Sequence, residues 1–270
     1  MHFFPFLKRL TGQLIRYLEY FFTAGHLWGY GLHSPFMFTF YKRVIARPAR
    51  RDLSWVRKRH RHLKTDKQVV HCPEEWGAGS KRLKKGGEKL RRIVRHSSVS
   101  YKYGRILFNI AREFQPATIL EIGTSVGVST MYLAEGHPEA SLYTLEGCPD
   151  KMAVANENSE ILNHSNIHPV EGAFGEILPG LLPRIGPLDM VFIDGNHRKV
   201  PTLSYFAMLE PYLHHHSIVI MDDIYWSPEM KEAWDQIRGK PGVKVSVDLY
   251  RMGILFFREE LYPQRFKIWY

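Results

Sequence analysis

Two cysteines among 270 residues, Cys72 and Cys148, with no Cys-x-x-Cys spacing, are too few for a thiolate metal centre or a disulfide framework. Neither is expected, and a reducing cytoplasm is the default setting. Long apolar runs are missing too. Lys8, Arg9, Arg16 and Glu19 interrupt the aromatic-rich opening stretch, so no secretory leader or bilayer-spanning helix is expected there. No repeat or low-complexity tract occurs. A length of 270 residues suits one α/β domain with an added segment.

What is present in excess is positive charge, and it is local. The formal net charge is +10, yet residues 47–95 alone hold 17 Lys and Arg against 5 Asp and Glu, while the remainder holds 20 against 22. Arg57, Lys58, Arg59, Arg61, Lys81, Arg82, Lys84, Lys85, Lys89, Arg91 and Arg92 would attract phosphates or anionic lipid. Aromatic interleaving is limited to Trp55 and Trp76, so stacking on single-stranded bases is poorly supported. The favoured reading is a solvated, charge-rich helical excursion, with nucleic acid or a membrane surface as the less favoured partners. Upstream, Phe6, Leu10, Leu14, Tyr17, Leu18 and Phe21 make one apolar stripe at helical spacing. The stripe packs on the core or on a second subunit of a homodimer, and interfacial membrane docking is the alternative.

From residue 100 onward, apolar runs alternate with helical patterns, the signature of a mostly parallel sheet. Strands are expected at 118–122, 141–145, 167–170, 189–193 and 217–221, with helices near 102–114, 127–135, 149–162, 173–182, 201–213 and 228–238. Val243 to Leu249 and Gly253 to Phe257 then read as an antiparallel hairpin. The chain divides into a helical, basic N-terminal extension at 1–96 and a doubly wound α/β domain at 97–270. Trp76-Gly-Ala-Gly-Ser80 reads as a loop, because no convincing strand precedes it.

The most informative string is Ile119-Leu-Glu-Ile-Gly-Thr-Ser-Val-Gly-Val-Ser129, a strand running through a glycine turn into a helix. Thr124 and Ser125 stand where a dinucleotide fingerprint needs its second glycine, and Glu121 would repel a pyrophosphate. A cationic nucleoside-like ligand fits better. Glu146, 19 residues beyond Gly127 and followed by Gly147, can accept both hydroxyls of a ribose at the tip of the second strand. Gly172, Ala173 and Phe174 follow the third strand, where small residues would let an adenine lie on the backbone.

The Glu-x-Gly-x-x-x-Gly string resembles the first motif of class I (Rossmann-like) S-adenosylmethionine (SAM) methyltransferases. The resemblance implies SAM over Glu121, Gly123, Thr124, Ser125, Gly127 and Ser129, with Glu146 and Gly147 on the ribose and Gly172, Ala173, Phe174 and Asp194 completing the pocket. It also implies a parallel sheet closed by the hairpin, with one late strand inserted beside its neighbour.

Asp194, at the end of the fourth strand, and Asp222 and Asp223, after the fifth, converge because neighbouring strands lie ~4.8 Å apart. Oxygen ligands of this kind suit Mg²⁺ or Ca²⁺; the alternative places Asp194 on the cofactor side and Asp222 as a loop cap. Residues 100–258 resemble catechol and caffeoyl-CoA type O-methyltransferases, in which such acids hold a divalent cation. Asp223 replaces their Asn, and His197 stands where they carry a catalytic Lys. The Asp-Gly-x-His string is similar to macrocin-type O-methyltransferases. Gly31-Leu-His-Ser-Pro-Phe36, with Gly77–Ser80 and Asp194–His197, resembles bacterial class I methyltransferase homologues of unassigned substrate. The expected activity is methylation of a small-molecule hydroxyl, with His197 as base beside Asp194, a cation, or both. An RNA or anionic-glycan acceptor and a non-catalytic SAM-binding module are the alternatives. The lack of an Asn-Pro-Pro-Tyr or Asp-Pro-Pro-Tyr string argues against adenine N-methylation. His214, His215 and His216 read as a loop before the fifth strand, and His33 either orders the N-terminal segment or lines the acceptor pocket.

Overall fold

The computed structural model describes residues 3–26, 29–48, 53–72 and 87–270. The Trp76–Ser80 loop and the Lys81–Lys85 cluster lie outside them. Eight strands form the main sheet: β3 (Thr118–Ile122), β4 (Ser141–Glu146), β5 (Ile167–Glu171), β6 (Leu188–Ile193), β7 (Leu213–Met221), β8 (Val245–Asp248), β9 (Gly253–Phe256) and β10 (Gln264–Lys267). Their order is β10-β8-β9-β7-β6-β3-β4-β5. The run from β5 to β7 is parallel, and β9 inserts antiparallel between β7 and β8. A short antiparallel pair, β1 (Val69–Val70) with β2 (Glu88–Lys89), stands apart.

The central strands are apolar on both faces because helices cover both. Ile119, Leu142, Met190, Phe192, Ile218 and Ile220 join one core cluster, and Leu120, Leu145, Val191, Ile193 and Val219 join the other. Helices α5 (Tyr101–Phe114) and α6 (Val128–Gly136) fill the first face; α8 (Phe174–Ile185), α9 (Lys199–Leu209) and α10 (Pro228–Arg238) fill the second. The remaining crossover is α7 (Pro149–Leu162).

Apart from β1 and β2, the described elements before residue 98 are helical. They comprise α1 (Phe3–Thr23), α2 (Pro35–Phe40) running into a π turn at Tyr41–Ile45, α3 (Ser54–Leu63) and α4 (Leu90–Ser97). Met37, Phe40, Val44, Leu53, Val56 and Leu63 share the core cluster of α5 and the sheet. The His33-Ser34-Pro35-Phe36 string starts α2: the Ser34 hydroxyl accepts the Met37 N–H, Pro35 opens the first turn, and His33 itself is exposed.

Four features differ from the expectations. First, the described part of the apolar stripe of α1 is only partly covered within this chain, by Tyr250 against Tyr17 and Trp269 against Phe21. Leu14, Tyr17, Leu18 and Phe21 stay substantially exposed, while Tyr20 is buried and donates its hydroxyl to the Ile268 carbonyl. Periodicity marks an amphipathic helix but does not say which edge of the stripe is covered. Second, His214–His216 lie inside β7, within an irregular stretch where the β6 register shifts. Ser217 straps that stretch by accepting the His214 N–H and donating to Leu188 O. Third, Cys72 and Cys148 are joined by a disulfide, with Cα atoms 5.1 Å apart. The two positions are 76 residues apart in sequence, so only the fold brings the end of the β1 segment against the turn after β4. The strand β10, parallel to β8, is an addition with no expected counterpart.

Candidate active site

The C-terminal ends of β3, β4, β5, β6 and β7 align because each parallel ladder continues one step into the following loop. Gly123 and Thr124 N–H both reach Leu145 O, Gly172 N–H reaches Glu146 O, Asp194 N–H reaches Ile122 O, and Asp222 N–H reaches Ile193 O. In open parallel sheets this edge is where ligands bind.

On the β3–β4 side the site is built from backbone. Gly123 has φ +106°, and a side chain there would drive into the Asp194 carbonyl, so this turn requires glycine. Ser125 adopts a left-handed φ of 49°, which aims its N–H at Glu146 Oε2, 2.8 Å away; Cys148 N–H holds Oε1 at 3.0 Å. Two backbone donors thus fix the Glu146 carboxylate, and its remaining lone pairs can accept two hydroxyls. Glu121 is fully buried beneath the turn rather than lining it. Its Oε2 takes the hydroxyls of Thr130 at 2.5 Å and Thr144 at 2.6 Å, while Oε1 has no hydrogen-bond partner among the described residues. Burial pushes its pKa up, against the pull of the Ser129, Thr130 and Thr144 hydroxyls. Phe174, at the start of α8, lies over Gly195 and edge-on to Tyr205 at 5.9 Å. Gly172, with φ +137°, and Ala173 lead from β5 into that helix. A glycine cradle, a clamped carboxylate and a half-buried ring fit a cationic nucleoside such as SAM.

The β6–β7 side is built from charge. His197 Nε2 lies 3.6 Å from Asp194 Oδ1 and 3.9 Å from Asp223 Oδ2, with the Trp226 ring 6.2 Å from the imidazole. The three expected acids do converge, and Arg251 sits among them. Its Nη2 is 2.9 Å from Asp222 Oδ2, its Nε lies 3.3 and 3.2 Å from the two Asp222 oxygens, and Nε is also 3.2 Å from Asp223 Oδ1. Burial alone would lower the Arg251 pKa, but Asp222 and Asp223 outweigh it and hold the group above its ordinary value. Asp194 is held well above the usual carboxylate range by burial first, then by Asp222 and Asp223.

Arg251 is the residue that sequence reasoning missed. It comes from the β8–β9 turn, where Tyr250 has φ +69° and its N–H is held by Asp248 Oδ1, and where Arg251 O accepts the Ile224 N–H. The available signal was a lone basic residue in the apolar hairpin 245–257. Helix α1 clamps that turn: Tyr17 and Tyr20 each pack on Tyr250 at 5.2 Å, and Arg16 Nε donates to Tyr225 O at 3.1 Å.

Arg251 also bears on the expected Mg²⁺ or Ca²⁺. Both Asp222 oxygens already face a guanidinium, and a second cation placed among Asp194, Asp222 and Asp223 would stand against that positive charge. The donor set fits a divalent cation poorly. No group of three or more His, Cys, Asp and Glu with metal-site geometry occurs among the described residues.

The described part of the basic segment is partly engaged within the fold. Arg57 lies 4.3 Å over the Tyr101 ring, Arg59 donates to Asn158 Oδ1 at 2.6 Å, and Arg92 pairs with Glu88 at 3.2 Å. No described helix is long and apolar enough to cross a membrane.

Residues 120–224 match the family model for a methyltransferase domain. Curated relatives include a catechol O-methyltransferase of Niastella koreensis, 38% identical over 40% of this chain and 50% of its own length. Another is that of Mycobacterium tuberculosis, 31% identical over 47% of this chain and 57% of its own length. The chain spans about half the length of the curated relatives it matches. Among solved structures, the O-methyltransferase TomG from Streptomyces achromogenes in complex with SAM aligns with a TM-score of 0.57 at 20% identity, covering 82% of this chain and 94% of that one. An O-methyltransferase from Bacillus cereus in complex with SAH aligns at 0.56 and 18% identity, covering 81% and 95%. These likenesses establish the class I methyltransferase fold.

Proposed function

We propose that this chain, which carries a methyltransferase domain at residues 120–224 on the class I fold, is a SAM-dependent O-methyltransferase acting on a small-molecule hydroxyl. The observation that carries the reading is the placement of His197 between Asp194 and Asp223, on the sheet edge it shares with the Gly123 turn and Glu146.

When bound, SAM supplies an electrophilic methyl on a sulfonium, and transfer is an in-line displacement. The chain's own residues position and deprotonate. Ser125 and Cys148 N–H groups hold Glu146 ready for the ribose hydroxyls, and the Gly123 turn admits the ligand to the backbone. His197 takes the acceptor's proton as the oxygen–methyl bond forms and the sulfur–methyl bond breaks. Asp194 and Asp223 stand 3.6 and 3.9 Å from the ring nitrogen that receives it. Fixing both reactants supplies much of the acceleration. Catechol as acceptor belongs to the relatives; here the proposal extends only to a hydroxyl of that chemical kind.

The test is calorimetry with SAM and with its demethylated product, followed by an acceptor screen with methyl-labelled SAM. His197→Ala is expected to keep SAM affinity and lose transfer by ~100-fold or more. Undiminished turnover would discard the base, and no heat with either ligand would discard the cofactor.

A further inference from the structure

We propose that Arg251 is the resident cation of this site, standing among the acids that would otherwise suit a divalent metal, and that methyl transfer here is independent of divalent cations. The inference rests on the methyltransferase reading for its function, but its geometry stands apart from it. Three carboxyl groups meet at the tips of β6 and β7, and Asp222 has no exposed side-chain surface. Clustered buried acids require a compensating charge, and the structure supplies one covalently. The Arg251 fork engages Asp222 through Nε and Nη2 and reaches Asp223 at 3.2 Å, a planar geometry that suits carboxylates.

Arg251 is fixed from two sides. Its backbone carbonyl accepts the Ile224 N–H from the loop that carries Asp222 and Asp223, and its neighbour Tyr250 is stacked on Tyr225 at 5.1 Å. The cation is thus built into the hairpin rather than recruited. Arg251 acts as a positioning residue: it holds Asp223, and through Asp223 the Nε2 of His197.

Asp223 brings a further charge that the same guanidinium pairs, at 3.2 Å.

The experiment is Mn²⁺ binding followed by electron paramagnetic resonance, on the full chain and without acceptor. Wild type is expected to show no saturable Mn²⁺ binding, and its transfer to any acceptor found in the labelled screen is expected to be unchanged by EDTA. Arg251→Met, which unmasks the three acids, is expected to gain saturable Mn²⁺ binding that adding Asp222→Asn abolishes, whereas Arg251→Lys gains none. A purely structural role for Arg251 would not produce that gain. Saturable Mn²⁺ binding by wild type that Asp222→Asn removes would overturn the proposal, as would a folded Arg251→Met protein that binds no more Mn²⁺ than wild type. The wild-type arm decides the matter if Arg251→Met does not fold. A protein that binds neither Mn²⁺ nor SAM leaves Arg251 as the cation and fails the methyltransferase reading instead.

Discussion

The two halves of the site are built on different principles. The β3–β4 half is a backbone device, made of a glycine turn, a strained Ser125 and a carboxylate clamped by two N–H groups, all within residues 121–148. The β6–β7 half is a side-chain device whose members come from three places in the chain: Asp194 and His197, Asp222 and Asp223, and Arg251. A backbone device leaves a local trace in sequence, because only glycine tolerates the required φ and the required approach. A device assembled across distant segments leaves only scattered residues, whose meeting depends on the fold.

The largest difference to break is covalent. The backbone half is tethered by Cys72–Cys148, next to Glu146, and no such link exists among the described residues of the other half. Replacing both cysteines by serine is expected to lower unfolding stability by ~4 kcal/mol, because the bond closes a loop of 76 residues in the unfolded chain. Denaturant unfolding with and without reductant checks this, and an unmoved midpoint refutes it. Next in size, Gly123→Val is expected to weaken SAM binding by more than ~100-fold, or ~3 kcal/mol, since the new side chain meets the Asp194 carbonyl. Calorimetry against wild type reads it directly, and retained affinity would show that the turn is not the cradle.

A pH dependence sharpens the comparison from the backbone side. His60, on α3, is buried with Nε2 unpartnered among the described residues, and burial pushes its pKa down to about 4 from 6.5. The folded state keeps it neutral, so the unfolded chain binds the extra proton. Stability is full above the unfolded value and erodes as pH falls from there toward about 4. Between about pH 7 and pH 5 the loss should be about 2 kcal/mol, and His60→Leu should flatten that slope in urea titrations. An equal slope in both proteins would refute it. The smallest effect is on the charged side: Tyr20→Phe removes the hydroxyl that anchors α1 and should cost about 1 kcal/mol, read as a lowered thermal midpoint with SAM affinity unchanged.

Much of the sheet was legible because buried parallel strands must be apolar on both faces, as Ile119, Leu120 and Ile122 and Val191–Ile193 are. The hairpin of β8 and β9 followed from the residue pattern, and the insertion of β9 beside β7 from the family resemblance. Strand β10, Gln264–Lys267, was illegible because it is a short edge strand with no alternating apolar face. The acids could be read because register places them at the same edge. Arg251 could not, because nothing local says that a hairpin turn will deliver its residue into a cleft. The disulfide escaped for the same reason: cysteine count argues about frameworks, whereas a single pair depends on where the chain returns.

The contacts of α1 set an order of events in the making of the chain. Tyr20 bonds to Ile268, Arg16 to Tyr225 and Tyr250 to Gln13, at separations of 248, 209 and 237 residues. During synthesis this helix emerges more than two hundred residues before the partners that seat it. Its docking residues, Arg16 and Tyr20, must wait in water until the hairpin and β10 are made. The helix translated early is therefore among the last to dock, and the turn that presents Arg251 is fastened only when translation has nearly passed it.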